Sequence, residues 1–494
     1  MRPFARALVL LALLRPTALA AQAIDSLALR GHTFFLAHDL LEGRRTGRRG
    51  GDIAALYLAT QASRLGLAGA GPGGSYFQDV PLIEAAIDTV ATLLTLIEDG
   101  LAGPVRTVYG SPRAFIPNAG NARTLTGIEG DLAWVGSAAR ILARPQDLPP
   151  LEGRITVMAG VFGPNGAAAD TLRSRGAVGV LQVPPGADAY ALYAASRGST
   201  RLYPDDPTVT SSFVPDLPAF LVHPSLAARL VPPPEGDSLP APRAIPGRRI
   251  HVALGLTPQP RRARNVAAFL PGADPARRSE VVVYTAHYDH LGYSTPDARG
   301  DSLYNGFSDN AAGSAMLLAL AQALAADRPP RSALFLWFTG EELGLLGSDW
   351  FVARPLLPLA SIVAVINLDA GAPPAPPVAW NIQGGTRSTL GMVAADAARA
   401  AGWDARIENA SPNSDHFPFL RVGVPAVFLV PAPRPFEGLT NDASQALRRR
   451  WDRYHQAADA WAPDFPFSGL VRYATFALAV GRAVAEGPRP VMLR

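Results

Sequence analysis

Val281-Val-Val-Tyr-Thr-Ala286 runs directly into His287, and this run, with the segments downstream of it, decides the fold. The six residues are apolar or β-branched, the pattern of a short buried strand. Residues 310–326 are rich in Ala and Leu with no breaker after Gly313, which predicts a helix with Ser308 and Asp309 at its start. Ser332-Ala-Leu-Phe-Leu-Trp-Phe338 is a second buried strand, and Gly340-Glu341-Glu342 lies just past its end. Strand, helix and strand make a βαβ unit, and in such sheets ligands collect outside the carboxyl ends of the strands. His, Asp and Glu are delivered to that edge in turn.

The same alternation continues downstream. Residues 346–353 predict a helix, and residues 361–368 a third buried strand ending at Asp369. A helix over 388–401, a loop holding Asp415 and His416, and a strand over 424–430 come next. Tyr454 and His455 come after a basic helical stretch, and a last helix spans 467–485. Alternating strands and helices imply a layered α/β domain. Upstream, residues 21–114 begin with helical patterns, including one over 52–65, and pass into strands. Residues 115–248 break into short apolar runs separated by Gly and Pro, with strands expected at 131–136, 154–159 and 178–183 and a helix at 167–175. They read as an inserted β-rich, non-catalytic module. The boundaries expected are thus 1–20, 21–114, 115–248 and 249–494.

Composition narrows the chemistry. The 494 residues suffice for two or three domains, and 48% hydrophobic against 17% charged content argues for a folded chain. Lys is absent, so all 45 basic residues are Arg, which removes a lysine Schiff base and a phosphate-loop lysine. Cys is absent too, which removes a thiolate nucleophile, disulfides and cysteine–zinc sites. Residues 1–20 read as an export signal: Arg2 and Arg6, an apolar core over 7–14, then Ala18-Leu19-Ala20. That core is too short to span a bilayer, and no later stretch qualifies as a transmembrane anchor. The formal charge is +4, and the signal carries three of the arginines and no acid, so nothing points to nucleic acid.

Six side chains fall at or beyond strand ends: His287, Asp309, Glu341, Glu342, Asp369 and His455. Imidazoles mixed with carboxylates suit zinc and similar divalent ions in an open site. The set exceeds what one ion needs, and one carboxylate can bridge two ions while a neighbouring acid stays free as a general base. Each residue alone has a plainer reading. Asp309 alone would be a helix N-cap, Asp369 a turn starter, and the two glutamates a solvated pair. Together at one edge they point to a metal site.

The motifs that carry a family resemblance are Ala-His287-Tyr-Asp289-His-Leu-Gly, Gly-Phe-Ser-Asp309-Asn-Ala-Ala-Gly, Glu341-Glu342-Leu-Gly, Asn-Leu-Asp369, Ser-Asp415-His416-Phe-Pro-Phe and Tyr454-His455-Gln-Ala-Ala-Asp459. They resemble the M28 family of zinc peptidases. Leu-Glu-Gly-Arg44-Arg-Thr-Gly resembles the N-terminal part of these enzymes, and the inserted module resembles a protease-associated (PA) domain. The resemblance implies a mixed central sheet flanked by helices, the phosphorylase/hydrolase-like zinc exopeptidase fold. It implies two zinc ions per chain: His287 and Asp369 on one, Glu342 and His455 on the other, Asp309 between them. Glu341 would be the general base and acid, Asp289 would orient His287, Tyr454 would stabilise an oxyanion, and Asp415 and His416 would shape the substrate pocket.

The expected function is removal of N-terminal residues from peptide substrates by an exported enzyme. Three alternatives stay open from sequence: a carboxypeptidase with an Arg-lined pocket, a cyclotransferase acting on N-terminal glutamine, and a non-catalytic receptor-like binder. Oligomeric state is not legible.

Overall fold

The computed structural model describes residues 24–493 except 118–124, 162–165, 198–199, 214–215 and 234–238. The export signal expected at 1–20 lies outside the described residues. The central sheet is built from β1 (Phe77–Glu98), β2 (Arg243–Leu270), β3 (Val281–His287), β4 (Ser332–Phe338), β5 (Ile362–Asn367), β6 (Ala379–Gln383), β7 (Asp404–Ile407) and β8 (Ala426–Pro431). Its order is β7-β6-β8-β5-β3-β4-β2, with β1 paired to β2. Strands β3, β4, β5 and β8 run parallel, while β2 and β6 enter antiparallel to β4 and β8. The helices around the sheet include α1 (Ser26–Leu36), α2 (Arg49–Arg64), α3 (Ala312–Ala326), α4 (Leu346–Ala353), α5 (Leu390–Ala400), α6 (His416–Arg421) and α7 (Ser468–Glu486), and the basic stretch before Tyr454 forms a further helix, Asn441–Trp451.

Every residue of β3 and β4 is buried. The reason is the period of two along a strand. Val282, Tyr284, Ala286, Phe335 and Trp337 face a core shared with α1, α2, α3 and α7, whereas Val281, Val283, Leu334, Leu336 and Phe338 face Phe351 of α4 and Phe419 of α6. A strand covered on both faces needs an unbroken apolar run, which is what the sequence carries. Each such side chain contributes about 1.5–3 kcal/mol on burial. Polar contacts then fix α3 against the strand ends. The Trp337 indole donates to Ser314 O at 3.1 Å, and the Ser314 hydroxyl donates to His287 O at 2.9 Å.

Beyond β1 and β2 lies a second body with its own cores. Strands Ile128–Ser137, Ile155–Ala159, Gly179–Val183 and Ala219–Val222 pair in parallel. Helices Ala138–Ala143, Ala167–Ser174 and Pro224–Leu230 accompany them, so the insertion is mixed α/β and not only β-rich. Strand β2 runs through the expected boundary at 248/249: its first part pairs with Ile128–Ser137 and its last part with β4. Residues 206–212 of this body are tied to the helices behind the central sheet. Arg354 donates to Asp206 and Thr208 at 2.5 and 2.8 Å, Arg421 to Ser212 and Thr210 at 2.8 and 3.1 Å, and Ser212 N to Asp349 at 2.7 Å.

Candidate metal centre

In register, His287 of β3 stands beside Phe338 of β4, and Thr285 beside Asn367 of β5. Parallel pairing therefore brings His287, the turn after β4 and Asp369 to one edge. The helix expected from residue 310 begins instead at Ala312, after a wide turn over Phe307–Ala311. In that turn Asp309 is extended (φ −119°, ψ 95°) and its side chain caps no helix; Asn310 accepts from Gly313 N at 2.9 Å in its place. The N-cap reading of Asp309 is thus excluded, and its carboxylate is free to face the histidines.

The distances describe two halves that share one residue. His287 Nε2 lies 2.8 Å from Asp369 Oδ1 and 3.2 Å from Asp309 Oδ1. His455 Nε2 lies 3.2 Å from Asp309 Oδ2 and 3.0 Å from Glu342 Oε2. The two oxygens of Asp309 therefore face different imidazoles. The adjacent glutamates diverge as well: Glu342 turns to His455, and Glu341 Oε2 stands off at 4.0 Å from His287 Nε2. Grouping by ligand atoms within 4.8 Å gives His287, Glu341 and Asp369 in one half and His290, Asp309 and Glu342 in the other. Glu341 is the outlier of its group, since Asp369 and Asp309 are both closer to the imidazole.

One observation tests whether an ion fits. His455 Nε2 is buried within reach of two carboxylates yet in hydrogen-bonding alignment with neither. A buried ring nitrogen with no hydrogen-bond partner is rare; aimed among carboxylate oxygens, it is what a metal ligand looks like. His455 also holds a left-handed backbone (φ 53°), a strained state for a non-glycine residue. The donor set of imidazoles and carboxylates fits zinc.

The charges are strongly coupled to burial. Burial, with Asp369, Asp415 and Glu342 nearby, pushes the Glu341 pKa well above the usual carboxylate value, against the pull of His287. Burial opposes protonation of His455, but Asp309 and Glu342 outweigh it and push its pKa up to about 10. Asp309 is pulled below its ordinary range by His287 and His455, although burial alone would raise it.

Several side chains hold this arrangement. His287 Nδ1 is 3.1 Å from Asp289 O and 3.6 Å from the Asp289 carboxylate, so the carbonyl is the nearer partner. The carboxylate itself accepts from Thr46 at 2.9 Å and from Glu341 N at 3.3 Å. Thr285 donates to Asn367 and Asn367 to Ser414, both at 2.7 Å, and Ser414 donates to Asp369 Oδ2. Asp459 accepts from Ser308 N and Asp309 N, fixing the turn that carries Asp309. Arg44, fully buried, donates to Tyr288 O, Leu36 O, Asn305 O and Gly306 O at 2.7, 2.5, 2.6 and 2.8 Å. It reaches them from a left-handed turn over Glu42–Arg44. Burial lowers its pKa to about 10, which leaves it charged.

Tyr454 is exposed, with its ring stacked on His455 at 3.8 Å between centroids. Asp415 and His416 are fully buried and so do not face an open pocket. Asp415 accepts from Ser348 at 2.5 Å, and His416 opens α6 and packs on Phe428 instead of lying in a loop. Sequence reasoning passed over His290, Arg44, Thr46, Ser414 and the Asp459 carboxylate. All five lie in or beside the motifs that carry the family resemblance, and the signal available was their polarity within apolar, Gly-rich surroundings.

A mixed α/β sheet with two linked imidazole–carboxylate half-sites at its strand ends defines an α/β protein with a candidate metal centre. Residues 265–475 match the family model of peptidase family M28. Leupeptin-inactivating enzyme 1 of Streptomyces exfoliatus is 29% identical over 241 residues, 45% of this chain and 50% of that protein. A probable zinc metalloprotease of Leptosphaeria maculans is 31% identical over 112 residues, 23% of this chain and 25% of that protein. The chain thus spans half or less of the length of these curated relatives. The fold is shared with the aminopeptidase from Aneurinibacillus sp. strain AM-1, at a TM-score of 0.52 and 18% identity over 96% of both chains. Among the described residues no helix is long and apolar enough to cross a membrane.

Proposed function

We propose that this chain is an exported metallopeptidase with two zinc ions that removes N-terminal residues from peptides. The observation that carries the reading is Asp309, whose two oxygens face His287 and His455 at 3.2 Å each. His287 and Asp369 would hold one ion, Glu342 and His455 the other, with Asp309 common to both. Bound there, zinc would supply a Lewis acid for the scissile carbonyl and a water of lowered pKa. Glu341, buried and standing off from the imidazole, accepts the proton of the attacking water and returns it to the leaving amine. The Tyr454 hydroxyl, on an exposed ring over His455, donates to the developing oxyanion. Asp289 and Thr46 keep the His287 loop in place. Asp415 supports this edge from beneath, with its carboxyl pushed up to about 8 by burial.

Charge at the site favours one end of a peptide. Carboxylates crowd the site, while Arg44 beside it has its donors on backbone carbonyls and offers none to a substrate carboxylate. A substrate ammonium is therefore the favoured terminus. We assign residues 115–248 to a PA-type module and residues 1–20 to an export signal. Mass spectrometry of an unblocked peptide mixture incubated with the zinc-loaded mature chain tests the reading. Ladders shortened from the N-terminus are expected. Shortening from the other end refutes the choice of terminus, cyclised N-terminal glutamine refutes hydrolysis, and no product with zinc bound favours a binder.

A further inference from the structure

His290 sits three residues beyond His287 and is 1% exposed, yet the proposed ligand set does not use it. Its Nδ1 lies 2.5 Å from Glu342 Oε1, in hydrogen-bonding alignment. The other oxygen, Oε2, lies 3.0 Å from His455 Nε2. Two imidazoles thus grip the two oxygens of one carboxylate. The seat of the His290 ring is built into the neighbouring turn. Gly306 has φ +60°, and a Cβ there would come within 2.5 Å of His290 Cγ. Arg44 holds that turn through Asn305 O and Gly306 O.

Separation sets His290 apart from His455 within this half-site. Two donors on one tetrahedral zinc, each at roughly 2.0–2.1 Å, lie about 3.3 Å apart. The contacts of His455, at 3.0 and 3.2 Å, match that spacing. The His290–Glu342 contact is shorter than either of these and shorter than the 2.8 Å between His287 and Asp369, and it is a hydrogen bond made through the oxygen that His455 does not face. His290 Nδ1 is 3.8 Å from Asp309 Oδ2, farther than the 3.2 Å of His455 Nε2 from the same oxygen.

We propose that His290 is a positioning residue for the half-site of Glu342, His455 and Asp309. Its Nδ1–H occupies Glu342 Oε1, so that Oε2 alone turns to the ion. The inference rests on the two-zinc reading. Supporting partners of metal ligands typically change metal affinity about 10–100-fold.

Zinc stoichiometry and affinity, measured by equilibrium dialysis with elemental analysis on the full mature chain, test it alongside the absorption spectrum of the cobalt form. Wild type should bind two equivalents. His290→Ala should keep one tight equivalent and bind the second about 10–100-fold more weakly, with a changed cobalt spectrum. His290→Asn places an amide N–H near the position of Nδ1 and is a poor zinc ligand, so it should restore the second equivalent. It also serves if the alanine variant does not fold. Two tight equivalents in His290→Ala overturn the inference. So does a second equivalent as weak in a folded His290→Asn as in His290→Ala, because the imidazole is then itself a ligand. Fewer than two equivalents in wild type refutes the two-zinc reading, and this inference with it.

Discussion

Replacing Arg44 by Lys tests how the N-terminal segment supports the metal centre. The guanidinium spreads its hydrogen bonds over three nitrogens: Nε to Tyr288 O, Nη1 to Leu36 O and Asn305 O, Nη2 to Gly306 O. Lysine keeps the charge but concentrates its donors on one nitrogen. It cannot reach carbonyls on opposite sides of the fork, so at least two of the four lose their donor. A buried acceptor left unsatisfied costs about 1–3 kcal/mol. The expected loss is therefore about 2–6 kcal/mol, a large part of the roughly 5–15 kcal/mol typical of a whole domain. Urea unfolding of the mature zinc-free chain reads this as a lower midpoint at unchanged slope. Tyr288, Asn305 and Gly306 lie in the two segments that carry His287 and Asp309, so zinc affinity should fall as well. Saturating zinc should then recover part of the stability by binding only the folded state. A loss under about 1 kcal/mol with unchanged zinc affinity would refute the reasoning.

Glu341→Gln should keep both zinc equivalents and lose about 10²–10⁴ in kcat/KM, because its carboxylate is the outlier of its group and acts on protons; a loss below tenfold, or of an ion, removes it as the base. Ser414→Ala takes the donor from Asp369 Oδ2 and leaves Asn367 without its acceptor, so the His287 half-site should bind zinc about tenfold or more weakly by dialysis; unchanged binding would show that Asp369 orients itself. Asp349 is held up to about 7 by burial, against the opposing effects of its Ser212 hydrogen bonds and of Arg421, so its ionisation destabilises the fold. The folded state binds more protons than the unfolded state between about pH 4 and 7, so stability declines as pH rises through that window. The permanently neutral Asp349→Asn should therefore gain in melting temperature relative to wild type as pH rises from about 4 to 7 and level off above, by at most ~4 kcal/mol equivalent. A difference independent of pH would place the shift elsewhere.

The legible parts of the fold were those where one residue pattern had one physical solution. Runs such as 332–338 are apolar at every position after the first, and only a strand covered on both faces accommodates that. Ligands at strand ends could be read from the same runs, because parallel register sets His287, Glu341, Glu342 and Asp369 at one edge. The supporting residues were less visible. Ser414 and Asn367 are ordinary polar residues until β5 and the turn before α6 bring them within 2.7 Å. Arg44 lies 244 residues from the Tyr288 carbonyl it holds, and no local pattern signals such a contact. His290 was in plain view, inside the same motif as His287. Its partner is Glu342, from a different strand end, and only the fold joins them. Pro, Gly and Arg over 243–262 carry no strand pattern of their own, and pairing with β1 overrides their propensities, which is why the expected boundary at 248/249 falls inside β2.

That pairing has a mechanical meaning. Strands β1 and β2 leave the central sheet side by side, laddered from Phe77–Val266 to Asp88–Gly255, and resume as Leu93–Ala253 through Glu98–Arg248 inside the inserted body. A hinge needs torsions free to turn, whereas a hydrogen-bonded ribbon locks both chains to each other. The one interruption is the offset between Asp88 and Leu93, where Thr92 accepts from Gly255 N at 3.1 Å. Swinging the inserted body as a lid would therefore require tearing the ladder; the ribbon permits twisting and flexing about that offset. The same geometry marks where the chain can be shortened. A two-residue turn joining Asp88 to Gly255 would close the ribbon as a hairpin of Phe77–Asp88 and Gly255–Leu270, shortening β1 and β2 and keeping β3 to β8 and every proposed ligand in the chain.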